Sequence, residues 1–261
     1  MKNKPQFQSV PRAINRRSAL FSAGFTLIEM MIALLITLFL IAGLVVMVIG
    51  TRGTFKVQDQ LQITQENERF ALFVLGNSIR PTGYYINPTT TTAISAFPIN
   101  PVANPDGTTF VAAQSLIGTS GSATGSDTLN VRFQSAPNDG LSNCVGDRNI
   151  SAAAITWTNS FAINASNQLT CAASVNGGTP GTSTVLVDNV ASMKVLYGVD
   201  TVGDGSAHIY IDASAFGATY FWGNVKSVKI NITFQDLISS TTGAPVSLPP
   251  ISHTINLMNQ S

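Results

Sequence analysis

Charge is the first thing this chain is short of. Only 14 Lys and Arg and 13 Asp and Glu are spread over 261 residues, 10% of the whole, while hydrophobic residues reach 44%. That balance is unlike a typical cytosolic enzyme. Cysteine and histidine are scarcer still, at two of each. His208 and His253 have no metal-ligand spacing to one another or to a cysteine, and no CxxC occurs, which argues against a zinc site. No GxSxG anchors a nucleophile among the many serines. The sequence is therefore read as that of a non-enzyme, since no set of residues specifies acid–base or nucleophilic chemistry. Its net charge of +1 hides an asymmetry: Lys2, Lys4, Arg12, Arg16 and Arg17 all precede the first acid, Glu29, which leaves nine basic against 13 acidic side chains after residue 24. A mildly acidic body is not expected to bind nucleic acid.

What the chain has instead is one long apolar run. Residues 25–51 read FTLIEMMIALLITLFLIAGLVVMVIGT, with Glu29 the single ionisable side chain. As a helix this run spans roughly 40 Å, enough to cross a ~30 Å hydrocarbon core. The basic residues before it hold the N-terminus in the cytoplasm and send the rest across. An ordinary secretory signal places its small cleavage residue after the apolar core, whereas Gly24 comes before it. Glu29 is the anomaly. An acid inside an apolar helix is a functional hypothesis by default, set against the plainer reading of a boundary residue favoured by the helix N-terminus. The Arg16-Arg17 pair suggests a twin-arginine signal, but the Gly24 boundary outweighs it.

The string GFTLIE at 24–29, behind a basic leader and before an apolar helix, resembles the class III signal of type IV pilins and type II secretion pseudopilins. The resemblance implies that a prepilin peptidase cuts between Gly24 and Phe25 and methylates the new Phe25 amine. Glu29 then pairs with the terminal amine of a neighbouring subunit, which neutralises two buried charges and sets axial register.

Beyond Thr51 the run turns amphipathic, with a stripe at Phe70, Phe73 and Val74 expected to pack on a head. Pro81 ends the helix near Ile79. Gly43, Gly50 and Gly53 are its weak points. The triplet at 65–67, the segments Arg69 to Leu72, Ile79-Arg80 and Gly83-Tyr84, and later Met193 to Asp200 with 203–205, are similar to PilW-family minor pilins.

The expected architecture is an α+β, type IV pilin-like fold: a leader at 1–24, a transmembrane helix half at 25–51, an amphipathic half at 52–80, and a mostly antiparallel β head at 81–261. Residues 86–126 read as loop. Alternation marks strands at Leu129 to Phe133, Met193 to Tyr197 and Val228 to Phe234, with Ile209 to Ile211 and Ile251 to Leu257 as further ones. The stretch between Cys144 and Cys171 reads as a long polar excursion. If that half is exported, the two cysteines form a disulfide; otherwise they are isolated thiols. Asp200 to Ser206 looks like a calcium loop, but position three is Val202 and the distal Glu is missing, so a Gly-Asp-Gly turn is the favoured reading over a calcium site at Asp200 and Asp204. No cofactor is otherwise expected.

The resemblance implies a minor pilin that helps start a type IV pilus and sits at or near its tip. It would lie in the inner membrane with a periplasmic head before assembly and at the cell surface afterwards. Its partners would be other minor pilins, the major pilin, the peptidase and a tip adhesin. A type II secretion pseudopilin is the alternative; an anchored periplasmic enzyme would need a catalytic motif that the sequence does not show.

Overall fold

The computed structural model describes residues 24–121, 125–217, 219–236 and 246–258. Of the expected leader, only Gly24 falls inside them. A single helix, α1, runs from Leu27 to Ile79 without interruption at Gly43, Gly50 or Gly53. By contacts the chain forms two compact units that part between Phe55 and Lys56. In the first unit every described side chain is exposed, and the helix there is long and apolar enough to cross a membrane.

In the second unit α1 buries Ala71, Leu75 and Ile79 at four-residue spacing, together with Gly76 and Ser78. The expected stripe is corrected here, because Phe70 and Phe73 remain 47% and 65% exposed. The face that meets the head mixes large and small residues, and a Cβ on Gly76 would make an ordinary contact with His253 Nε2 at 3.7 Å. The helix stops as Pro81 requires, and Thr82 caps it, its N–H and hydroxyl both donating to Ile79 O.

The chain from 81 to 115 is mostly irregular, with a short helix α2 at Ala93–Ala96. Two antiparallel sheets follow. The first is a meander of β1 (Leu116–Thr119), β2 (Thr128–Ser135), β3 (Ile155–Ile163), β4 (Leu169–Val175) and β5 (Thr184–Val187), in that spatial order. The second contains β6 (Val190–Val199), β7 (Ile209–Ile211), β8 (Val225–Asp236), β9 (Val246–Ser247) and β10 (Ile251–Asn256), ordered β10-β8-β6-β7 with β9 also on β8. One core joins α1 to both sheets, including Leu75, Leu129, Phe161, Val195 and Ile230.

Two expectations about loops are corrected. Residues 86–126 include β1. The supposed excursion between the cysteines contains β3, the middle strand of the first sheet, and the start of β4. Strand β3 escaped notice because Thr158, Asn159 and Ser160 are buried in succession, so apolar and polar residues do not alternate.

Cys144 and Cys171 are disulfide-bonded. The bridge ties the loop before β3 onto β4, and Asn159 Oδ1 accepts the Cys144 N–H at 3.1 Å. Closing a loop whose ends are 27 positions apart contributes about 3 kcal/mol in the chain-entropy model. Replacing both cysteines by alanine should therefore lower the melting temperature of the detergent-solubilised protein by roughly 6–12 °C. An unchanged melting curve would assign the bridge no stabilising role.

Candidate functional site

The N-terminal motif is built on the first turn of α1. Thr26 Oγ1 accepts the Glu29 N–H at 3.3 Å, and Thr26 O accepts from Glu29 and Met30 at 3.1 and 3.2 Å. Thr26 is thus the N-cap and Glu29 the third helical residue, the Thr-x-x-Glu arrangement favoured at helix starts. The Thr26 role was legible in the sequence as that spacing and was missed. Glu29 is exposed in an otherwise apolar turn, as is Phe25. A Cβ on Gly24 would touch nothing among the described residues.

In the head, three charged groups organise the structure, and the sequence reading had singled out only one of them. Asp127 lies just before β2. Its Oδ1 accepts the Gly121 N–H at 2.9 Å and pairs with Lys194 Nζ at 3.2 Å, while Oδ2 accepts the Val195 N–H at 2.8 Å. It thereby stitches the first sheet to β6 of the second.

Arg132, on β2, is buried, and no ion pair joins it to an acid among the described residues. It donates from Nε to Gln114 O, from Nη1 to Pro98 O at 2.9 Å, and from Nη2 to Val111 O at 2.9 Å and Phe97 O at 3.3 Å. Its guanidinium also sits 5.3 and 4.6 Å from the ring centroids of Phe97 and Phe110. Burial pulls its pKa down to about 10, so the charge persists at neutral pH.

Asp200 is the third group, and its surroundings are those of a turn. Oδ1 accepts from Val202 N at 3.1 Å and Gly203 N at 2.6 Å, and Oδ2 accepts from Gly205 N at 2.7 Å. Gly203 and Gly205 both have positive φ, +83° and +84°, which the turn demands. Desolvation pushes the Asp200 carboxyl up, but the amides of Gly203, Gly205 and Val202 outweigh it and hold the group below the usual range. His208 adds Nδ1 at 3.7 Å from Asp200 Oδ1 and Nε2 at 3.3 Å from Asp204 Oδ2. Asp200, Asp204 and His208 thus offer ligand atoms within 4.8 Å of one another. The Asp200 oxygens are already committed to backbone amides, which suits a capped turn better than a cation site.

On α1, the exposed Phe70 and Phe73 border a groove with Gln62, Gln65, Glu66 and Arg69. Ala71 and Leu75 face the core, so these groove residues lie on the exposed side of the helix.

Two family models match the chain. The prokaryotic N-terminal methylation motif covers residues 21–45, and the type IV pilus-assembly protein W covers residues 158–256. No curated protein matches. Among solved structures, a type IV-like pilin from Thermus thermophilus is 9% identical, with 74% of this chain and 95% of that one covered at a TM-score of 0.44. A methylation signal at the start of a long apolar helix, followed by a head of antiparallel sheets, defines a type IV pilin-like protein. Within that class the two matched segments support a type IV pilin of the PilW family. Family and fold are those of structural pilins. The motif and the apolar helix fit anchoring in a membrane and association with a pilus.

Proposed function

We propose that this protein is a minor pilin that helps initiate a type IV pilus and resides at or near its tip, after cleavage between Gly24 and Phe25. The observation that carries the reading is the GFTLIE string opening α1, with an exposed carboxylate at Glu29 in an apolar first turn. Cleavage frees an amine at Phe25, to be methylated, four residues before Glu29. A lone carboxylate among lipid tails is unfavourable by ~2.5–3.5 kcal/mol at a helix centre and less near the interface. An amine supplied by a neighbouring subunit removes that penalty and rewards one axial register. In this reading the head is periplasmic until assembly carries it to the cell surface, where the major pilin and other minor pilins are its neighbours.

Glu29→Ala tests the proposal. The variant should insert and be cleaved normally, because removing the charge eases insertion. In a deletion strain it should yield several-fold fewer surface pili than the wild-type gene at equal levels of cleaved protein. Equal pilus counts, with equal co-purification of other pilins, would overturn the assembly role of Glu29.

A further inference from the structure

Strand β2 directs Leu129, Val131 and Phe133 into the core and Asn130, Arg132 and Gln134 to its opposite face. Between that face, the segment 95–102 and the start of β3 lies a cavity of about 500 Å³. Ser95, Asn100, Thr156 and Asn176 supply it with hydroxyls and amides, Arg132 is its one cation, and no carboxylate lines it. A guanidinium has five N–H donors. Four of those on Arg132 meet carbonyls, and the fifth is on Nη1, the nitrogen bonded to Pro98 O at the cavity wall. No ion pair joins Arg132 to an acid among the described residues. The neutral groups are also half-used. Asn176 Oδ1 accepts the Thr156 N–H at 2.8 Å and Asn100 Oδ1 accepts the Val102 N–H at 3.1 Å, which leaves both Nδ2 amides as donors.

We propose that this cavity binds an acidic sugar residue, its carboxylate on Arg132 Nη1 and its hydroxyls on the Asn100 and Asn176 amides and the Thr156 hydroxyl. A buried cation without a counter-charge gains more from an anion than an exposed one does, because little water competes for it. The volume admits one monosaccharide, and the surrounding donors suit hydroxyls better than an apolar ligand. This inference concerns the head alone and does not depend on how the helix assembles.

Full-length protein in detergent micelles would be titrated with glucuronate, glucose and propionate and followed by saturation-transfer NMR. Glucuronate should bind saturably, with glucose and propionate each at least tenfold weaker. Asn176→Asp puts a competing carboxylate at the mouth, yet keeps the acceptor for Thr156 N–H and suits the positive φ of 50° at this position. It should weaken glucuronate at least tenfold with an unchanged melting temperature. Absence of saturable glucuronate binding, equal binding of glucose, or unchanged affinity in Asn176→Asp would each overturn the proposal. Propionate binding as tightly as glucuronate would overturn the sugar assignment.

Discussion

Arg132→Ala is expected to destabilise the head by about 3–5 kcal/mol. The substitution strips donors from the carbonyls of Gln114, Pro98, Val111 and Phe97 at once and opens a void between the Phe97 and Phe110 rings. Relief from burying a charge offsets part of that loss, which is why the total stays below the sum of four unpaired carbonyls. Arg132→Lys should recover less than half: an ammonium keeps the charge but cannot span carbonyls placed for a planar fork. Arg132→Met separates packing from hydrogen bonding, since it refills space without donors. Denaturant unfolding of the solubilised protein reads all three. If Arg132→Met is as stable as the wild type, the carbonyl network contributes nothing net and the argument fails.

Gly118→Ala is the second substitution with a large expected effect. A Cβ there would lie 2.1 Å from Tyr197 Oη and 2.4 Å from Thr128 O. Neither obstacle can move cheaply. Thr128 O belongs to the paired strand, and Tyr197 is fully buried, edge-on to Phe216 at 5.6 Å and Trp222 at 4.9 Å. Overpacking of this kind destabilises by about 3 kcal/mol or more. Tyr197→Phe alone should be nearly neutral, because the buried hydroxyl has no hydrogen-bond partner among the described residues. Burial, with Asp127 and Asp106 nearby, pushes that phenol well above its ordinary range, so no charge is lost either. Combined with Gly118→Ala, Tyr197→Phe should restore part of the stability by removing the nearer of the two obstacles. Strict additivity in this double-mutant cycle would refute the steric account.

Much of this architecture is visible in the sequence where residues obey one period. Val228, Ile230, Ile232 and Phe234 are all buried and the residues between them are not, as alternation requires. The helix end follows from Pro81. What stayed hidden has a physical reason in each case. Strand β3 is buried at Thr158, Asn159 and Ser160 in succession, and only the fold reveals contacts such as the Cys144 N–H on Asn159 Oδ1. The face of α1 that meets the sheet is the one carrying Ala71, Leu75 and Ile79 at four-residue spacing, a register in which Phe70 and Phe73 fall outside. Arg132 and Asp127 look like ordinary surface charges until residues 97–114 and 193–195 fold over them. The family resemblance rested on two stretches, and the matched segment at 158–256 includes the later one, Met193 to Asp200, but not the earlier one before Tyr85. The N-terminal signal was the easiest to read, because all its parts are contiguous.

The pairing of β10 with β8, and the bond from Met258 N–H to Arg80 O at 3.1 Å, have a kinetic consequence. The helix residues that close the core, Leu75 and Ile79, leave the ribosome about 180 residues before Ile255, which shares that core. At ~5–20 residues per second, translation leaves them waiting on the order of 10 to 40 s. During that interval the core that α1 shares with both sheets stays incomplete, because β10 is made last of its strands. Such non-local closure is slow and exposes the nascent chain to aggregation. The head therefore cannot complete its core until Ile255 has been made.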